Sequence, residues 1–121
     1  MAWQSHALVH VREEQHALVV VASGDFDIDE RDLLQAAWDE ADERALPVTV
    51  VDLTGVTFAD SSLLDTLLRA HARHHTARRR LVLAGPPPSH VLLLLTITNT
   101  LKHFTVAGSL TEALQGRPPG R

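Results

Sequence analysis

A chain of 121 residues, 45% apolar and 21% charged, is long enough for one domain with a true core and has the composition of a soluble globular protein rather than a disordered one. Its formal net charge of -4 leaves no basic excess to neutralise phosphates, which argues against nucleic acid as a partner. The absence of cysteine excludes disulfides, thiolate metal sites and a cysteine nucleophile.

In chain order, residues 6–12 alternate loosely and read as a strand, Glu13-Glu14-Gln15 as a polar turn, and 17–22 (ALVVVA) as a second strand, so the short connection predicts a hairpin. Gly24, within Ser23-Gly24-Asp25-Phe26-Asp27, is expected to end that strand. From Ile28 the period becomes helical. Leu34, Trp38, Ala41 and Ala45 share one face, while Asp29, Glu30, Asp32, Asp39, Glu40, Asp42 and Glu43 occupy much of the remainder. Pro47 marks the exit, residues 48–53 (VTVVDL) read as a third strand, and Thr54 to Phe58 as the turn after it.

A helix is expected to open at Asp60-Ser61-Ser62, with Leu64, Leu67, Leu68 and Ala72 at helical spacing and Arg69, Arg73 and Arg78 facing water. Arg78-Arg79-Arg80 reads as a solvated helix end before a fourth strand, 81–84, closed by Gly85-Pro86-Pro87-Pro88. The leucine-rich stretch 89–99 has strand propensity too, but the prolines and Ser89 form a helix start. A short strand at 104–106 and a helix at 110–114 complete a domain of residues 1–116, and 117–121 is expected to be a flexible tail. The order β-β-α-β-α-β-α-β-α predicts a single α/β domain: a mostly parallel sheet with an N-terminal hairpin and helices packed on it. No apolar run approaches the roughly 20 residues of a bilayer span, and the first residues lack a signal-peptide pattern, so a cytoplasmic protein without membrane insertion is expected.

Catalytic motifs are missing: there is no G-x-S-x-G elbow, no phosphate-binding G-x-x-x-x-G-K-[ST] loop and no G-x-G-x-x-G. The expectation is therefore a protein with no enzymatic activity and no cofactor. His71, His74 and His75 have metal-ligand spacing, but the H-E-x-x-H glutamate is absent and arginines at 69, 73, 78 and 79 oppose a cation. A solvated, titratable helix face is the simpler account, with no metal expected.

The stretch VVDLTGVTFADSSLLDTLL, residues 50–68, admits two readings. Asp60, Ser61 or Ser62 can each cap the helix, and Ser62 with Asp65 fits a capping box. Equally, serines that follow a buried strand sit at the carboxyl edge of the sheet, where α/β proteins place ligands and partners. Helix N-terminal amides accommodate a phosphate there, and Asp25 and Asp60 would face it with negative charge.

The same stretch resembles the signature of STAS-domain anti-sigma factor antagonists: a hydrophobic strand, D-L-S-G-V-x-F-x-D-S-S-G-L, then a helix. Gly24-Asp25-Phe26-Asp27 resembles the family's G-E-F/L-D. Residues 80–86 resemble its fourth strand and exit, and Thr98-Asn99 with Phe104 resembles its T-G-L-x-x-x-F segment. The resemblance implies a protein-protein switch. Its phosphoacceptor would be Ser61 (Ser62 is the second choice), modified by a partner anti-sigma factor that is itself an ATP-dependent serine kinase. The partner-binding positions it implies are Asp25, Asp27, Thr57, Phe58, Asp60, Ser62, Leu63 and Leu64.

Two departures stand out. Leu63 replaces the family's glycine, where its side chain would either obstruct the kinase or anchor it. Leu92 to Leu95 make the third helix apolar on several sides, which suggests a homodimer or partner contact through 89–99. A non-switching STAS scaffold, or a subunit of a stress-signalling or transporter complex, is the alternative function. A small-molecule or nucleotide site at Asp25, Asp60 and Ser61 is a third, weakened by the missing phosphate-binding lysine and glycine loop.

Overall fold

The structure is a computed structural model that describes residues 6–115, apart from the Ile28 side chain. The tail expected at 117–121, and the end of the domain at 116, lie outside those residues. Five strands pair in the order β1 (Leu8–Glu14), β2 (Ala17–Phe26), β3 (Val48–Ala59), β4 (Arg80–Ala84) and β5 (Thr105–Ala107). The β1–β2 pair is antiparallel and every other pair is parallel. Between them run α1 (Arg31–Arg44), α2 (Ser61–Thr76), α3 (Ser89–Ile97) and α4 (Leu110–Gln115), so the element order is the expected one. The hairpin closes through Gln15 and His16 with φ of 51° and 67°, the two left-handed residues of a primed turn that matches strand twist.

The pleat sorts the side chains into two unequal layers. Leu18, Val20, Val51, Leu53, Leu81 and Leu83 face α1, α2 and α3, where Trp38, Leu34, Leu67 and Leu95 complete the main core. Ala17, Val19, Val50, Val82 and Ala84 face the other way and are covered by the short α4 through Ala113. Strands buried on both faces need continuous apolar runs, which is why ALVVVA and VTVV carry so few polar residues.

Several local expectations change. Gly24 does not end β2, and Thr54 to Phe58 is no turn: β2 runs on to Phe26, β3 to Ala59, and the two continue as a parallel pair. Register shifts between Val21 and Ser23 and between Gly24 and Asp25 absorb the mismatch. Glycine is required at position 24 because φ is 89° and a Cβ would lie 2.1 Å from the carbonyl oxygen of His6. The third helix stops at Ile97, not at 99, because Asn99 adopts φ 59° and the Thr100 amide reaches back to the Leu95 carbonyl at 2.9 Å.

Of the basic run, only Arg78 is a solvated helix end, since Arg80 already belongs to β4. Arg79 is half-buried, its side chain lying against α1 and donating to the Ala41 carbonyl at 2.9 Å and to the Asp42 carboxylate. Arg73 does not simply face water either. Its guanidinium bonds Asp42 at 2.9 Å and Asp39 at 3.0 Å, which holds the Asp39 carboxyl below its usual range. The acidic face of α1 is thus the counter-ion of α2, and Arg79 is a second donor to the Ala41 carbonyl, which also accepts the Ala45 amide at 2.9 Å.

His74 leaves the solvated face as well. It is 1% exposed, with Nδ1 donating to the Ala70 carbonyl at 2.7 Å and Nε2 paired with the Thr49 hydroxyl at 2.7 Å. Burial pushes its pKa down, so the neutral imidazole is the stable form. A carbonyl can only accept, so Nδ1 carries the proton and Nε2 accepts from Thr49. This pair is the polar rivet between α2 and the sheet. Thr49→Val and His74→Leu should each cost about 1–3 kcal/mol in urea denaturation, because each strands a buried polar partner. The double variant should cost less than the sum by about 1 kcal/mol, and strict additivity would show the two groups are not coupled.

Candidate functional site

The extended β2–β3 pair brings the sequence's polar residues to one edge. Asp25 lies beside Phe58 in the register and Phe26 beside Ala59, so both strands end together and β3 runs directly into α2. The Thr57 hydroxyl donates to the Asp25 carboxylate, joining residues that are 32 positions apart in the chain. Phe58 is 50% exposed, an aromatic ring left outside the core at the carboxyl edge of a largely parallel sheet.

Asp60 is the N-cap of α2: its backbone is extended and its Oδ1 accepts the Ser62 amide at 2.8 Å. The Leu63 amide bonds the Asp60 carbonyl at 3.1 Å. The capping box expected from Ser62 and Asp65 does not form. Ser62 lies inside the first turn, where its carbonyl accepts the Thr66 hydroxyl at 2.8 Å, and Asp65 instead pairs with Arg69 at 2.9 Å. Ser61 is the first residue of α2 and is exposed, while Ser62 is half-buried. The two following leucines turn inward: Leu63 is 2% exposed and Leu64 8%. Their side chains belong to the core and present neither obstacle nor anchor at the surface, so Leu63 shapes this edge only through packing.

Asp27 stands apart from that group. Its Oδ1 accepts the Asp29 amide at 2.9 Å and its carbonyl the Glu30 amide at 3.1 Å, which starts the turn into α1. A hollow of about 430 Å³ lies there, lined by His6, Ala7, Asp25, Asp27, Asp29, Glu30 and Leu33. The Glu30 carboxyl is held above its usual range, first by its hydrogen bond with the Asp27 side chain. Carboxylate oxygens of Asp27, Asp29 and Glu30 lie within 4.8 Å of one another. Their hydrogen bonds to backbone amides and to each other account for that proximity, so the cluster reads as the start of a helix.

Chemically, the edge offers an accessible hydroxyl on the first turn of a helix, carboxylates at Asp25 and Asp60, and one exposed aromatic ring. Sequence reasoning named each of these residues. It missed the Asp25–Thr57 contact, because that contact depends on the pairing of two segments read as a break and a turn. The exposure of Phe58 was also illegible, since alternation alone does not tell which face of a strand remains uncovered.

No protein of curated function matches this chain in sequence. Solved structures do match in fold. An anti-sigma factor antagonist from Mycobacterium paratuberculosis superposes with a TM-score of 0.74 at 21% identity, covering 92% of this chain and 93% of that one. The Bacillus cell fate determinant SpoIIAA in its phosphorylated form gives 0.70 at 16% identity, over 90% and 98% of the two chains. RsbS of Moorella thermoacetica, carrying a serine-to-glutamate substitution, gives 0.76 at 17% identity over 89% and 92%. At these identities the likeness establishes the fold. The family model described as Mlab, STAS domain, matches residues 9–112, most of the chain, and on that match the protein belongs to the STAS-domain family.

Proposed function

We propose that this protein is an anti-sigma factor antagonist: a cytoplasmic, non-enzymatic domain that binds an anti-sigma factor with serine kinase activity and is released when Ser61 is phosphorylated. The observation that carries the reading is the position of Ser61, exposed on the first turn of α2, directly behind the capping Asp60 and at the edge that bears Asp25, Thr57 and Phe58. Supporting it, similar folds include an antagonist and a phosphorylated cell fate determinant.

The physics of such a switch is simple. The acceptor needs only an accessible hydroxyl, since the kinase supplies Mg-ATP and the catalytic base. Helix amides stabilise the phosphate once it is made. Its charge of about -1.5 to -2 arrives beside Asp60 and Asp25, and a partner that docks against Phe58 and the existing carboxylates then meets strong repulsion. Asp25, Asp27, Thr57, Phe58, Asp60 and Ser62 supply the contact surface, while Leu63 and Leu64 fix the angle at which α2 leaves the sheet.

A second reading has its own observation. Leu93 and Ile97 are 58% and 71% exposed on α3, an apolar face in keeping with a constitutive partner or a second copy, and the matching family is described by the name Mlab. In that case the domain is a non-switching subunit of a larger assembly.

Incubation with the cognate anti-sigma factor and ATP, followed by mass mapping, separates the two. The switch predicts one phosphate on Ser61, none in Ser61→Ala, and an affinity at least about tenfold weaker, or about 1.4 kcal/mol, in Ser61→Asp. Equal affinity for wild type, Ser61→Ala and Ser61→Asp, with a stable oligomer in size-exclusion chromatography, favours the subunit. The cap is measurable by itself: Asp60→Ala should cost about 0.5–2 kcal/mol of stability, and Ser62→Ala under about 0.5 kcal/mol, because the capping box is not formed.

A further inference from the structure

The fold adds a third imidazole to the histidine face of α2. His71 and His75 lie one turn apart with ring centroids 6.2 Å apart and planes inclined by only 23°. His103, on the short 3-10 turn Leu101–His103, stands 6.4 Å from His71. His71 rests its edge on Phe104, 5.7 Å away, which holds the central ring in place. His75 and His103 are exposed and free to rotate toward it. Two imidazoles that bind one ion at about 2.0–2.1 Å have ring centres roughly 5–6 Å apart. The nitrogens of these three rings do not yet converge, so His75 and His103 must both turn toward His71 to share an ion.

The geometry points to a three-histidine site, His71, His75 and His103, for a borderline divalent transition ion of the zinc class. Imidazole nitrogens without thiolate or clustered carboxylate suit zinc, nickel or copper rather than magnesium or calcium. The electrostatic objection raised by the arginines is met for three of the four, while Arg78 is exposed to solvent at the end of α2. Arg69 is paired with Asp65, Arg73 with Asp39 and Asp42, and Arg79 with Asp42. Lys102, beside His103, is exposed. A bound ion would fasten α2 to the segment that leads into β5, at a distance in sequence from Ser61, and so offers a second input to the domain.

Titration calorimetry of the untagged chain with zinc chloride near neutral pH tests the site. One ion per chain is expected, with affinity weakened at least tenfold in His75→Ala and in His103→Ala, and unchanged in His90→Ala on α3. Both informative side chains are exposed, so their removal leaves the fold intact, as circular dichroism will verify. Zinc should also raise the melting temperature of the wild type and not of His103→Ala. Unchanged affinity in His103→Ala would reduce the site to the helical pair and overturn the proposal. The absence of saturable binding at roughly 100 µM zinc would overturn it as well.

Discussion

Everything distinctive about this domain depends on the parallel pairing of β2 with β3 beyond the point where their hydrophobic runs end. Up to Val21 and Asp52 the two strands pair as any buried strands do. Past that point they continue through glycines and polar residues, with two register shifts that increase twist and redirect side chains. The extension carries the backbone out of the core, sets Thr57 against Asp25, leaves Phe58 uncovered and delivers the chain to α2 at Asp60. Gly24 makes this feasible. The N-terminal segment passes so close that any side chain there would collide with the His6 carbonyl.

The helices are held in register by polar contacts as well as by the core. Arg73 and Arg79 bind the end of α1, and His74 binds the sheet through Thr49. These interactions differ in worth. Arg69 with Asp65 is an exposed pair in high dielectric and contributes little. The Arg79 side chain is only 8% exposed and adds a second hydrogen bond to the Ala41 carbonyl, so its loss removes packing and a hydrogen bond together. A rigid α1–α2 layer would matter for the proposed switch, since a phosphate at the start of α2 would have to alter a surface rather than loosen the helix that carries it.

Capping and the proposed modification do not compete for the same group. Of the three caps the sequence allowed, Asp60 takes the role, and the hydroxyl of Ser61 next to it is not used as a cap. The carboxylate that starts the helix is also the charge a phosphate would meet. In the proposed switch, one residue would therefore stabilise the unmodified state and sharpen the electrostatic contrast on modification.

The sequence alone determined the element order, the parallel sheet after a hairpin, the acidic face of α1 and the residues gathered around Asp60. These follow from periods of 2 and 3.6 and from glycine and proline punctuation, which are local properties. Family membership, too, was legible in VVDLTGVTFADSSLLDTLL. What only the tertiary structure decided was where each side chain finds its partner. His74 looked like its neighbours His71 and His75, yet a rotation of 100° per residue carries it under the helix to Thr49. Leu63 looked like an exposed departure from a glycine and lies in the core. Gly24 looked like the end of a strand and is a bulge. In each case the deciding contact joins residues far apart in the chain, and no local pattern encodes which of two faces another element will cover.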